Sequence, residues 1–185
     1  MQGNVASQPV VVCVSVSRGH TFSKKNVQSI RLIENFGVEG DAHAGPTDQH
    51  LFHIRRFGRT PNLRQVHLIH AELFEELAEK GHNVFPGDLG ENIVTRGVDL
   101  LRVPTGTRLK VGSLAVIEIT GLRNPCKQIE KFQAGLLNEV AVQRPDGLVR
   151  KAGVMGIVLK GGVVNAGDQI VVELPAEPRA PLQPV

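Results

Sequence analysis

Short runs of alternating β-branched residues, cut by glycines, constrain this chain more than any other feature. The clearest is GTRLKVGSLAVIEIT at 106–120. Thr107, Leu109 and Val111 alternate with Arg108 and Lys110, a Gly-Ser pair turns the chain, and Leu114 and Val116 lead back. Period-two alternation on both sides of a glycine turn predicts a hairpin with one buried face. The run Val10–Val16 predicts another strand, with Cys13 inside it as apolar filler. RQVHLIH (64–70) predicts a strand entering a helix over 71–81, whose apolar face is Leu73, Phe74 and Leu77 and whose stop is Gly81. Further strands are expected at 91–98, 152–162 and 168–175. Between 126 and 142, Ile129, Phe132, Leu136, Leu137 and Val140 recur at helical spacing, interrupted by Gly135.

Many short strands with two or three helices predict a mostly β, α+β domain, barrel-like with helical insertions. A doubly wound parallel sheet is not expected, and no Rossmann or P-loop glycine fingerprint occurs. A length of 185 residues suits one domain. Residues 1–9 read as an N-terminal extension and 10–174 as the domain. The tail 175–185, with three prolines in its last ten residues, should be disordered or extended.

With seven Phe and no Trp or Tyr, the core must be aliphatic, and stacking platforms for single-stranded nucleic acid are not expected. A net charge of +3 without one long basic run argues the same way, while leaving a local anion site open. Two cysteines, Cys13 and Cys126, make no disulfide scaffold, so a reduced, cytoplasmic setting is expected. No stretch has the length of a membrane span, and the N-terminus lacks the basic region of a signal peptide.

Four stretches carry candidate chemistry. In ITGLRNPCKQIEKF (119–132), Cys126 follows Pro125 where a strand should give way to a helix. Proline favours a helix start, which would put Cys126 in the first turn near unpaired N–H groups, with Arg123 and Lys127 beside it. That setting favours a thiolate over an inert buried thiol. In GVEGDAHAG (37–45), glycines frame Glu39, Asp41 and His43, as a surface turn or a pocket edge. HLFHIRRFGRTPNLR (50–64) brings His50, His53, Arg55, Arg56, Arg59 and Arg64 without an acid, either a solvated loop or a phosphate-neutralising one. His67 and His70 read as core-edge or capping residues. In FPGDLGENIVTRG (85–97), Glu91 and Asn92 enter a strand, and Asn92 can both donate to and accept from a ring edge.

Taken in order, GVEGDAHAG, RQVHLI, PGDLGENI and TGLRNPCKQI resemble the MOSC domain, the C-terminal domain of molybdenum cofactor sulfurases, over residues 10–174. The likeness is to the stand-alone, single-domain bacterial type, and it implies a β-barrel-like MOSC fold. It implies molybdenum cofactor as the ligand, with Cys126 as metal ligand and catalytic residue or as a persulfide carrier. Asp41, His43, Arg64, Gln65, Glu91 and Asn92 become candidate cofactor-binding residues, and Arg123, Asn124 and Lys127 join them around the cysteine. The implied activity is an oxidoreductase reducing N-hydroxylated or N-oxygenated compounds with electrons from a separate reductase. The alternative is a sulfur carrier fed by a separate cysteine desulfurase, with pyridoxal phosphate on that partner and not on this chain. A third reading is a non-catalytic anion-binding module. No membrane partner is implied.

Overall fold

The computed structural model describes residues 8–49, 54, 55, 58 and 60–185. The expectations for His50, His53, Arg56 and Arg59 lie outside the described residues. Early strands are β1 (Val10–Val16), β2 (Lys25–Val27), β3 (Ser29–Ile33) and β4 (Gly37–Val38). Then come β5 (Val66–His70), α1 (Glu72–Glu79), β6 (Ile93–Arg96), β7 (Arg108–Val111) and β8 (Ala115–Leu122). They are followed by α2 (Lys127–Phe132), α3 (Leu136–Val140), β9 (Ala141–Arg144), β10 (Gly147–Arg150), β11 (Val154–Lys160), β12 (Gly162–Asn165) and β13 (Ile170–Glu173).

The mostly β, α+β class holds, but barrel-like is a loose description. The main sheet runs β13-β7-β8-β11-β5-β6-β1-β2, and its ladder does not close. One isolated bridge, Val10 to Gln169, joins β13 to the start of β1, helped by Val11 N–H donating to Asp168 O at 2.8 Å. β12, β3 and β4 form a second sheet. β5 and β6 are parallel, with α1 as their crossover; the other pairings in the main sheet are antiparallel.

The strand β5 explains the layering. Its VHLI run is buried on both faces, as a strand sandwiched between two apolar layers must be. Val66 and Leu68 point into the inner core with Val14, Ile93, Leu109, Ile117, Val154 and Val158. Ile69 points the other way, into a core made with Leu73, Leu77, Leu89, Ile129, Leu136 and Val140. That second cluster seats α1, α2 and α3 on the outer face of the sheet. Among the described residues no Phe is fully buried, so both cores are aliphatic, as composition requires.

The helical stretch expected over 126–142 is two short helices. Gln133 is extended, at φ −148° and ψ 127°, and ends α2, and Gly135 at φ +82°, a left-handed conformation, is the N-cap of α3. Beyond α3 the chain turns into the hairpin β9–β10 around Pro145-Asp146-Gly147, a turn sequence not read as such above. The C-terminal segment packs against β8. Leu182 is buried, and Leu122 N–H donates to Gln183 O at 2.8 Å. A Cβ on Gly121 would strike this segment, so glycine there permits the close approach. Among the described residues, no helix is long and apolar enough to cross a membrane.

Candidate functional site

Five strands contribute one row of core side chains. Val14 pairs with Ile93, Ile93 with Leu68, Leu68 with Val154, and Val154 with Leu122. One residue along each strand, alternation sends the side chain to the opposite face. At β6, β5, β11 and β8 those neighbouring residues are Asn92, His67, Met155 and Arg123, and all four line one cleft on the outer face of the sheet, beside the helices. Thr21, Phe22 and Lys24 from the loop after β1, His43 from the turn after β4, Asn62 and Arg64 from before β5, and Asn124, Cys126 and Gln128 complete most of its wall.

Asp41 organises the floor. Its Oδ2 accepts from Lys24 Nζ at 2.7 Å, Asn92 Nδ2 at 3.0 Å and Ser17 N–H at 3.3 Å. Its Oδ1 accepts from the His43 N–H at 3.0 Å and lies 3.3 Å from His43 Nδ1. Burial pushes the Asp41 carboxyl up, but the His43 and Lys24 hydrogen bonds outweigh it and hold the group well below the usual carboxylate range. Burial also pushes the Lys24 ammonium below its ordinary value, against the pull of Asp41. Four residues thus converge on one carboxylate. Asp41 does not line the cleft; it fixes the loops that do.

The turn 85–91 forms another wall. Gly90 sits at φ +82°, and a Cβ there would run into the carbonyl oxygen of Phe22. Glu91 is fully buried behind it, where Oε1 accepts from Gly87 N–H and Oε2 has no partner among the described residues. Burial pushes its carboxyl above the usual value, in spite of that hydrogen bond. Asn92 lines the cleft, yet its amide is committed inward. Nδ2 donates to Asp41 and to Ser15 O, and Oδ1 accepts from His67 N–H. The expectation that Asn92 reads a ligand's ring edge therefore gives way to a role in bracing the cleft.

Cys126 stands at the mouth, half-buried. It is the N-cap of α2, with φ −121° and ψ 164°, one residue earlier than the first-turn position expected from Pro125. Its thiol donates to Gln128 Oε1 at 3.6 Å, a weak contact. Asn124 beside it accepts from Arg150 Nε at 3.0 Å, which ties the β9–β10 hairpin to the cysteine corner. Arg123 lies deeper, with its guanidinium over the Phe22 ring at 6.0 Å. Burial pushes it below the ordinary arginine value, opposed by Cys126 and Glu91 and reinforced by the like charge of Arg64.

The structure brings His43, Arg64, Asn92, Arg123, Asn124 and Cys126 together around the cleft. It does not bring in all of the expected residues. Gln65 is buried elsewhere, accepting from Val158 N–H at 2.9 Å, and Lys127 is exposed and outside the lining. His67, expected as a core-edge or capping residue, is buried, donates from Nε2 to Ala152 O at 2.8 Å, and also lines the cleft. Burial, with the charge of Arg123, holds its imidazole well below the ordinary value and so neutral. Lys24, Phe22, Asn62 and Met155 carried no sequence signal. Lys24 in a run of polar residues reads as solvated, and only Asp41, seventeen positions away, explains its burial.

The sequence profile of the MOSC domain matches residues 39–171. The chain belongs to the MOSC domain family. No curated protein matches it. Among solved structures it is similar to the YUAD protein of Bacillus subtilis, at 23% identity and TM-score 0.75, covering 91% of this chain and 97% of that one. It is also similar to YiiM of Geobacillus stearothermophilus, at 17% identity and TM-score 0.66, covering 94% and 79%. For YiiM of Escherichia coli the values are 18%, 0.60, 92% and 73%. At these identities the likeness establishes the fold.

Proposed function

We propose that this MOSC protein holds the molybdenum cofactor in the cleft, with Cys126 as its sulfur ligand to the metal. The activity we assign is reduction of N-hydroxylated or N-oxygenated compounds, with electrons from a separate reductase. The observation that carries the reading is a partly exposed thiol lining a cleft that also holds two guanidinium groups, Arg64 and Arg123.

The donor chemistry fits. Among the described residues no three His, Cys, Asp or Glu side chains come together as a metal cluster. Among the described residues the cleft offers one thiolate donor, Cys126, and the Met155 thioether, too few to complete a sulfur ligand set, so a metal here would draw its other sulfur ligands from a dithiolene-bearing cofactor. When bound, that group supplies two-electron redox chemistry and a metal that accepts oxygen. The chain's own residues position and shelter. Cys126 is presented by an extended N-cap and not from inside a helix, Asp41 locks the loops carrying Lys24 and His43, and neutral His67 closes the floor without adding charge.

A second reading rests on the same sulfur. Among the described residues, Cys126 is held by no hydrogen bond beyond its weak contact with Gln128, so it can meet another protein's persulfide. Its thiolate would take the outer sulfur, releasing the partner's thiolate and leaving a persulfide here. The desulfurase and its pyridoxal phosphate would belong to that partner.

Elemental analysis separates the readings. Protein made in a cofactor-producing host should carry molybdenum, and Cys126→Ser should lose it. Wild-type protein without metal, but with a persulfide on Cys126 after incubation with a desulfurase and cysteine, would favour sulfur carriage instead.

A further inference from the structure

Among the described residues, Arg123 forms no ion pair. Its Nη1 is shut off from solvent and finds no acceptor among the described residues. Its side chain enters no hydrogen bond or ion pair with any described residue, and neither does that of Arg64. The nearby acids are committed otherwise. Asp41 is saturated by Lys24, Asn92, Ser17 and His43. Glu91 accepts from Gly87 N–H, and burial favours its neutral form. Asp48 bears on Arg64 electrostatically, while Arg64 raises the positive potential at Arg123.

Burying an unpaired charge is costly, and a guanidinium kept that way invites an anion. The orientation is fixed as well. Phe22 lies under the guanidinium at 6.0 Å, and Phe132 of α2 packs on Phe22 with ring centroids 5.7 Å apart. A planar fork of donors steadied on an aromatic face suits a group with two or more oxygens in one plane. Cys126 and Arg123 line the same cleft, three positions apart in the chain, with the sulfur at the mouth and the guanidinium deeper.

We propose that Arg123, with Arg64 beside it, forms a subsite for one oxyanionic group next to the Cys126 sulfur. This subsite needs only the guanidinium pair and the cleft, so it stands whether or not the molybdenum cofactor binds. The oxyanion has two possible sources: a phosphate carried by a cofactor, or a free or substrate-borne oxyanion such as phosphate, sulfate or carboxylate. Both present the same chemistry to the arginines.

The test is calorimetric titration of cofactor-free protein with inorganic phosphate and with sulfate, at constant ionic strength in chloride. Saturable binding is expected in the wild type, weakened roughly tenfold or more by Arg123→Gln, since a charge-assisted hydrogen bond is lost. Arg64→Gln should weaken it less, and Lys131→Gln, at an exposed cation outside the cleft, should leave it unchanged. Circular dichroism checks folding; if Arg123→Gln is misfolded, Arg123→Lys and Arg64→Gln decide the matter, each expected to weaken binding several-fold. Repeating the titration on cofactor-loaded protein assigns the source: retained binding points to substrate, lost binding to the cofactor's phosphate. No saturable binding in the wild type, or equal binding in wild type, Arg64→Gln and the folded Arg123 variant, overturns the proposal. Wild-type protein that comes out of a cofactor-producing host without molybdenum, yet binds phosphate through Arg123, would sink the cofactor reading and leave this subsite standing.

Discussion

Replacing Asp41 with Asn should damage this protein more than any change at the cleft surface. The substitution keeps shape and removes charge. It leaves the Lys24 ammonium buried, with only 3% of its side chain exposed, and deprived of the carboxylate 2.7 Å away. It also turns an amide NH2 toward donors that now converge on carboxylate oxygens, whichever way the amide is flipped. Breaking a buried pair on one side costs about 3–5 kcal/mol, a large share of a total near 5–15 kcal/mol. With a urea slope of about 2 kcal/mol per M, the unfolding midpoint should fall by about 2 M. The loss should depend on pH. In Asp41→Asn, the folded-state affinity of Lys24 for its proton is below the unfolded value, so the penalty is full below the depressed folded value. It shrinks as pH rises through that value and is gone only above the ordinary lysine value near 10.4, where both states are neutral. In the wild type the sign is opposite: the contribution of Asp41 is intact above about pH 4 and is lost only as pH drops through its depressed folded value. Urea melts of Asp41→Asn, Lys24→Met and the double variant at pH 7 and pH 10 would test this. A midpoint for Asp41→Asn within about 0.3 M of wild type, or a double variant no more stable than the worse single one, would refute the reasoning.

Two further changes probe how the cleft walls are built. Gly90→Ala should cost at least about 2 kcal/mol, from the left-handed strain and the collision with the Phe22 carbonyl, and thermal melting of the purified variant reads it out. Removing residues 182–185 strips the buried Leu182 and the hydrogen bonds between Leu122 and the tail. About 2 kcal/mol should be lost in urea unfolding, and an unchanged midpoint would show that the tail is not part of the packed structure.

The alternating runs around 106–120 and 10–16 dictated strands because a two-residue period leaves one face apolar whatever the partner strand is. The aliphatic core followed from the aromatic count, and the Pro-Cys corner at 125–126 was visible as a sulfur at the end of a strand. Other features were legible only in part. β2 and β4 are short, and every residue of Lys25–Val27 is exposed, so no periodic pattern marks them, while the alternation in β3 spans only Ser29–Ile33. Their existence depends on β1 and β12 offering edges to pair with. The hairpin β9–β10 hid behind helical spacing that continued up to Val140.

The candidate site divides along the same line. Sequence alone settled which residue types were on hand: one cysteine at a corner, an acid between glycines, and arginines at 64 and 123. Tertiary structure decided which of them share a cleft, because that depends on the register of five strands set side by side. It also turned Asp41 and Asn92 into bracing groups, drew in Lys24 and His67, and left Gln65 and Lys127 outside. Burial and charge pairing are properties of neighbours brought together by folding, and no local pattern along the chain encodes them.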